Sequence, residues 1–378
     1  MREGPSDDGR HESHEAIAAA FNRTTDPLAP YAATFDDIDA DPFALFFDAV
    51  AEPRDLTAKT KRKYRRVIDQ WAAHMHRLGR HPACPNESHV QQFVHDGLHE
   101  RDNQPDTVRT KLHRLDTIYQ FWQRDPAFPH PESYNPFELV LSQVDLTRPP
   151  QKDPPRLSVE ELSAYIRALP HIRDRAVVLT QLKLGLRAGE LCNLRLSDIA
   201  VDHAELKAAY PSLGTHALLA GRSNAVCIPS RYERSGNKSG RPRVLPLDAE
   251  LRATLVDLLV TRPETDADAV FYTTSTHNPL GTEDVRRIWA EHFQADYPET
   301  ETHRAVTSHF GRHRFTTHWL VTKGWNRELV KYMRGDRIDG TDVTREAVDS
   351  YVHTYYEDVA DQYRAEIYDF GTGDSLRP

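Results

Sequence analysis

The sequence predicts a mainly α protein of two domains, the second carrying a small antiparallel sheet. Three observations predict this. Apolar residues recur at steps of three and four through most of the chain, the spacing of amphipathic helices. The stretch DLTRPPQKDPP at residues 145–155 holds four prolines, which break helix and sheet alike and mark a linker, with the boundary near residue 150. One pair of strand-like runs, Ala225–Ser230 and Arg243–Leu247, flanks the polar turn RYERSGNKSGRP and reads as a hairpin with a long loop. A length of 378 residues is ample for two cores.

Taken in order, residues 1–51 are acidic and polar and read as a partly disordered tail, with a short amphipathic element at Pro42–Ala51. A helix capped by Thr57 follows. Tyr64, Val67, Ile68, Trp71, Met75 and Leu78 form its apolar face. Its other face carries Lys59, Lys61, Arg62, Lys63, Arg65 and Arg66, a phosphate-contacting surface in an otherwise acidic chain. Helices over Ser88–His99 and Pro105–Arg124 complete an all-helical domain over residues 52–147 that closes near Tyr134-Asn135-Pro136. After the linker, 148–156, a second domain spans 157–378. It opens with a helix over Val159–Leu169 and a long apolar segment over Arg173–Arg195. Helices are predicted again over Ala249–Val260, Glu283–Phe293, His309–Lys323, Arg327–Met333 and Thr344–Tyr368. Residues 203–220 carry no assignable pattern.

Composition narrows the function classes. The net charge is −9, with ten lysines against 38 arginines and 57 acidic residues, a balance like that of a halophile's proteins. In that setting local basic clusters say more about partners than the total charge does. No run of about 18 apolar residues predicts a membrane span, and the opening MREGPSDDGRHESHE has no apolar signal core, so a cytoplasmic protein is expected. Cys84, Cys192 and Cys227 are few, odd in number and far apart, which supports neither a disulfide framework nor a zinc knuckle.

Five short pieces carry chemistry. LKLGLRAGELCNLRLSDI at 182–199 places Arg187 after Gly185 at a turn between helices, with Glu190 three residues on. Lys238 sits at the tip of the hairpin. SHFGRHRFTTHWL at 308–320 puts His309 and Arg312 on one side of a helix that must also bury Phe310, Phe315 and Leu320. A His309/His313 metal pair finds no third ligand at a known spacing, so no metal is expected. YMRGD at 332–336 contains an adhesion-like tripeptide that is chance in this setting. AVDSYVHTYYEDV at 347–359 offers Tyr351, Tyr355 and Tyr356.

Each piece is common alone. Their order resembles the tyrosine recombinase, or phage integrase, family over residues 52 to about 365. The likeness is strongest at GLRAGELCNLRLSDI, at K-x-x-x-x-R-x-L-P-L from Lys238, and at HFGRHRFTTHWL. The resemblance implies a SAM-like helical core-binding domain followed by a mixed α/β catalytic domain. It implies that Arg187 and Arg312 grip a DNA phosphate, that Glu190 supports Arg187, and that Lys238 is the hairpin lysine. His309 pairs with Arg312, and Tyr351 is the nucleophile, with Tyr355 as the alternative. It implies a double-stranded recombination site as partner, protomers that assemble into a homo-tetramer on paired sites, and a C-terminal oligomerisation tail after Tyr355. Where the family carries Gly followed by His or Trp, this chain reads Gly335-Asp336, and the stretch from Asp336 to Tyr351 is long. Either Asp336 takes the sixth catalytic position, where its charge needs a partner such as Arg334 or Arg337, or it has a different role and another residue fills that place.

The chemistry so implied is a transesterification. A phenol with a pKa near 10 attacks phosphorus only when its anion is stabilised. The bond energy is kept in a 3′-phosphotyrosyl ester, so no cofactor, ATP or metal is expected. Two alternatives use parts of the same pattern: a type IB topoisomerase-like relaxing enzyme, and a catalytically impaired DNA-binding accessory protein.

Overall fold

The structure is a computed structural model that describes residues 7–147, 152–265, 267–336 and 345–372; the side chains of 7–12, 14 and 345–355 lie outside that description. The chain divides into two compact units, Met1–Gln151 and Lys152–Pro378, each with its own apolar core.

Helices dominate the first unit: α1 (Asp7–Ala20), α2 (Ala32–Asp37), α3 (Pro42–Phe46), α4 (Ala58–Arg77), α5 (Glu87–His95), α6 (Pro105–Arg124) and α7 (Pro136–Gln143). Thr57 caps α4 by accepting from the Thr60 backbone, and Asn86 and His89 cap α5 reciprocally. Val67, Ile68, Trp71 and Met75 of α4 meet Val90, Phe93 and Val94 of α5 and Val108, Leu112, Leu115 and Ile118 of α6. The acidic tail expected over residues 1–51 is folded from Leu28 onward. Leu28, Phe35, Phe43, Phe46 and Ala51 are buried. Asp26 ties the segment down by accepting from Arg80 (2.7 Å) and Asn86 (2.8 Å), and Trp122 donates to the Pro42 carbonyl (3.1 Å). Phe43, Phe46 and Ala51 fall in the amphipathic element expected at Pro42–Ala51, while acidic composition hid Leu28 and Phe35. Helix α7, past the expected end at Tyr134-Asn135-Pro136, adds Phe137 and Val140 to the core.

The second unit holds α8 (Val159–Ala168), α9 (Ile172–Leu184), α10 (Ala188–Cys192), β1 (Ile199–Ala200), α11 (Ala204–Ala209), β2 (Ala225–Ile228), β3 (Arg243–Pro246), α12 (Ala249–Val260), α13 (Thr282–Phe293), α14 (Ser308–Thr317), α15 (Arg327–Arg334) and α16 (Arg345–Glu366). The strands form an antiparallel sheet in the order β1-β2-β3, with Val226 opposite both Ile199 and Leu245. Strand β1 and helix α11 were not legible, because two and six residues are too short to show a period. Helix α9 is the centre of this unit: every residue from Ala176 to Leu184 is buried, and α12 and α14 pack on it. Its apolar residues lie on more than one face, and Thr180, Gln181 and Lys183 are buried with them.

The end of the chain is built into the same core. Tyr356, Val359, Ala360, Tyr363, Tyr368 and Phe370 are buried. The Tyr363 hydroxyl donates to the Lys183 carbonyl (2.6 Å) and the Tyr368 hydroxyl to the Leu182 carbonyl (2.5 Å). Lys183 itself is fully buried between Asp248 and Glu250, and Glu250 accepts from the Thr372 backbone (2.8 Å) and hydroxyl (2.7 Å). Residues 356–372 thus pack on their own unit, tied to α9 through Tyr363 and Tyr368 and to α12 through Glu250.

Candidate active site

The site begins where α9 stops. Gly185 ends the helix in the left-handed region (φ +62°), and a Cβ there would stand 2.6 Å from the Phe315 ring of α14. The chain turns at once into α10, whose N-cap is Arg187. Glu190, one turn on, accepts from the Arg187 backbone (3.0 Å) and from its guanidinium (3.1 Å). Glu190 is 1% exposed and also receives both ends of Arg243, at 3.0 and 3.3 Å. Arg243, equally buried, donates its Nε to the Met333 carbonyl (2.8 Å) and so links β3 to α15. Burial would raise the Glu190 carboxyl, but Arg243 and then Arg187 hold it down at about 2. The acid is thus a buried anion that orients two arginines.

Helix α14 supplies the next pair. Phe310 and Phe315 are buried, which fixes the helix and aims Arg312 across the α9–α10 corner. Arg312 Nη1 donates to the Gly185 carbonyl (2.8 Å) and the Arg334 carbonyl (2.9 Å). Its Nη2 donates to Asp336 Oδ1 at 2.6 Å. Arg187 Nη2 donates to the same oxygen, also at 2.6 Å. Asp336 Oδ2 lies 2.9 Å from Arg334 Nε. Gly335, with φ +64°, makes this possible. It ends α15 and carries the backbone so close over Arg243 that a Cβ would sit 2.3 Å from its Nη1. Burial and the Arg187 cation pull Arg312 down to about 9, which leaves it protonated at neutral pH. Asp336 meets Arg334, one of the partners expected for it; Arg337 lies outside the described residues.

His309 is exposed on the first turn of α14. Its pKa is lowered, first by partial burial and then by Arg312, Lys238, Arg187 and Arg304. The Lys238 ammonium thus lies within electrostatic reach of His309. The loop carrying Lys238 is pinned on both sides. Asn237 donates to the Pro229 carbonyl (2.8 Å), Asn193 donates to Asn237 (2.8 Å), and the Arg231 backbone donates to the Ser239 carbonyl (2.8 Å). Lys238 itself stays exposed. His309 and His313 gain no third metal-type ligand among the described residues.

Tyr351 and Tyr355 belong to α16, but their side chains lie outside the described residues. Tyr356, next along, is buried against Val244, with the Arg222 guanidinium 4.9 Å over its ring.

In the first unit, Lys59, Arg62, Lys63, Arg65 and Arg66 are exposed along α4, while Lys61 pairs with Glu52 (2.6 Å). Lys111 of α6 has its pKa lowered by burial, then by Arg101 and Arg66, so Lys111 and Arg101 join the basic face. Sequence reasoning missed both, and it missed the roles of Arg243 and Arg304 around the other site. An arginine at a strand start or helix end carries no local sign of its partners. The one hint was that Arg243 falls inside the K-x-x-x-x-R-x-L-P-L pattern.

The arrangement can hold a tetrahedral oxyanion. Two guanidinium forks meet at one point, with an ammonium and an imidazole at its edge.

Residues 155–341 match the model of the phage integrase family, a stretch that stops short of Tyr351. Tyrosine recombinase XerA of Pyrococcus furiosus is 27% identical over 211 residues, covering 54% of this chain and 62% of that protein. Tyrosine recombinase XerD of Chlamydia pneumoniae is 23% identical over 282 residues, covering 72% of this chain and 81% of that protein. The chain spans about three-fifths of the length of the first curated relatives it matches. Among solved structures, the Tn1549 transposon integrase in complex with transposon right end DNA superposes with a TM-score of 0.57 at 16% identity, over 83% of this chain and 99% of that one. A lambda integrase tetramer bound to a Holliday junction gives 0.55 at 14% identity, over 92% and 93%. At these identities the structural likeness is one of fold.

Proposed function

The chain belongs to the phage integrase family, the tyrosine recombinases, and on that premise we propose that it is a site-specific DNA recombinase of the integrase type. One observation carries this reading: Arg187 and Arg312, far apart in sequence, donate to a single oxygen at 2.6 Å each. A non-bridging phosphate oxygen has the charge and the size to take that place.

The reaction follows from the groups present. The Tyr351 oxygen attacks the scissile phosphorus, a P–O bond to tyrosine forms, and the bond to the 5′ oxygen breaks. The products are a 3′-phosphotyrosyl ester and a free 5′-hydroxyl. His309, held below its usual pKa and so neutral at neutral pH, takes the phenol proton. Lys238 gives a proton to the leaving oxygen. Arg187 and Arg312 bind the charge that grows on phosphorus oxygens, and a donor so aimed is worth roughly 10²–10³ in rate. Attack by the 5′-hydroxyl of a partner strand reverses the chemistry and joins the new strands. The basic face of α4 grips the DNA backbone, and protomers pair as a tetramer on two sites.

The test uses nicked suicide duplexes built from repeats flanking the gene. The wild-type protein is expected to become covalently attached to DNA, and Tyr351→Phe to abolish the adduct. Loss of the adduct in Tyr355→Phe, with Tyr351→Phe active, would move the nucleophile. Strand exchange between two sites separates recombination from simple relaxation.

A further inference from the structure

We propose that Asp336 is the resident counter-anion of the phosphate site, and that its carboxylate must leave Arg187 and Arg312 before DNA can bind. This rests on the recombinase reading for the identity of the incoming phosphate. The Nη1 donors of the two arginines are already engaged. Arg187 Nη1 is held by Glu190, and Arg312 Nη1 by the carbonyls of Gly185 and Arg334. The two Nη2 groups both end on Asp336 Oδ1. One oxygen bridging two guanidinium groups is the geometry a phosphate oxygen would adopt. The site also needs an anion when empty. Arg187, Arg312 and Arg334 surround it, and Glu190 is committed to Arg243 and Arg187.

An exit is built in. The Asp336 side chain is about a quarter exposed, and Oδ2 already lies 2.9 Å from Arg334 Nε. Gly335, in the left-handed region, is the pivot behind it. Asp336 can turn onto Arg334 while phosphate takes its former place. The Gly-Asp pair that departs from the family's Gly-His or Gly-Trp thus becomes an internal phosphate mimic, which keeps the arginines aligned and excludes weakly bound anions.

The experiment is calorimetric titration of inorganic phosphate at low ionic strength into the full chain. A tethered competitor lowers apparent affinity by the fraction of sites it leaves open. Asp336→Asn and Asp336→Ala are expected to bind phosphate about tenfold tighter or more than the wild type. Asp361→Asn removes the same charge from a fully exposed carboxylate elsewhere and is expected to change nothing. Equal affinity in the Asp336 variants overturns the proposal, and so does equal tightening in Asp361→Asn. Should the Asp336 variants fail to fold, the wild-type Asp336 carboxyl carbon resonance serves instead. It is expected to shift on phosphate addition, and an unmoved resonance overturns the proposal. Suicide duplexes test the underlying reading separately. Tightened phosphate binding with no covalent adduct from the wild type sinks the recombinase reading and leaves the exchange standing. Adduct formation without tightening does the reverse.

Discussion

Glu190 is the residue on which the geometry of the others depends. A fully buried carboxylate is costly unless paired, and here three hydrogen bonds from two arginine side chains and a fourth from the Arg187 backbone repay that cost. The carboxyl is held at about 2 against roughly 4.3 in an unfolded chain. A depressed carboxyl contributes its stability above the unfolded value and loses it as pH falls through the folded one. Glu190→Gln should therefore cost about 3 kcal/mol at neutral pH. The gap from the wild type should close as pH drops from about 4.3 towards 2, as read by urea unfolding across that range. A gap that stays constant with pH would mean the carboxylate's charge is not what holds Arg243.

At the scale of elements, the site is an intersection. The α9–α10 corner brings Arg187, α14 brings Arg312 and His309, the β2–β3 loop brings Lys238, and the end of α15 brings Asp336. Gly335 is the tightest point of this crossing. Gly335→Ala adds a Cβ into Arg243 and strains the backbone, so a loss of roughly 2–4 kcal/mol is expected. Thermal melting measures it, and a melting point within a degree of the wild type would refute the crowding. The C-terminal segment is a second such element. Deleting residues 367–378 removes Tyr368, Phe370 and Thr372 and opens the pocket of Lys183 and Glu250. Burial of two aromatic side chains is worth about 3–6 kcal/mol, so the deletion should lower the melting temperature sharply. An unchanged melting curve would mean the segment rests on the surface without holding it.

At the scale of the whole molecule, a chain of net charge −9 carries a concentrated basic face on α4, with Arg101 and Lys111 beside it. DNA affinity set by phosphate contacts falls with salt at a slope of about −0.9 per contact. Arg62→Gln, Lys63→Gln and Arg66→Gln should each reduce that slope by about 0.9, as measured by fluorescence anisotropy on duplex DNA over a salt series. A slope unchanged by all three would take this face out of the interface. No helix among the described residues is long and apolar enough to cross a membrane.

What the sequence by itself determined was local. Helix α6 begins at Pro105 and ends at Arg124, and α12 runs from Ala249 to Val260, as their spacing predicts, because a helix writes its period into neighbouring residues. The hairpin strands were legible for the same reason, as two short runs flanking a polar turn. The tertiary structure alone decided that residues 28–51 join a core, that residues 356–372 fold back onto α9, and that Arg243 lies beneath Glu190. It also decided that Arg187 and Arg312 meet at Asp336. Those outcomes depend on which surfaces exclude water together, and on where buried charges find opposite charges. Both are set by contacts between residues far apart along the chain, and no short window of sequence contains them.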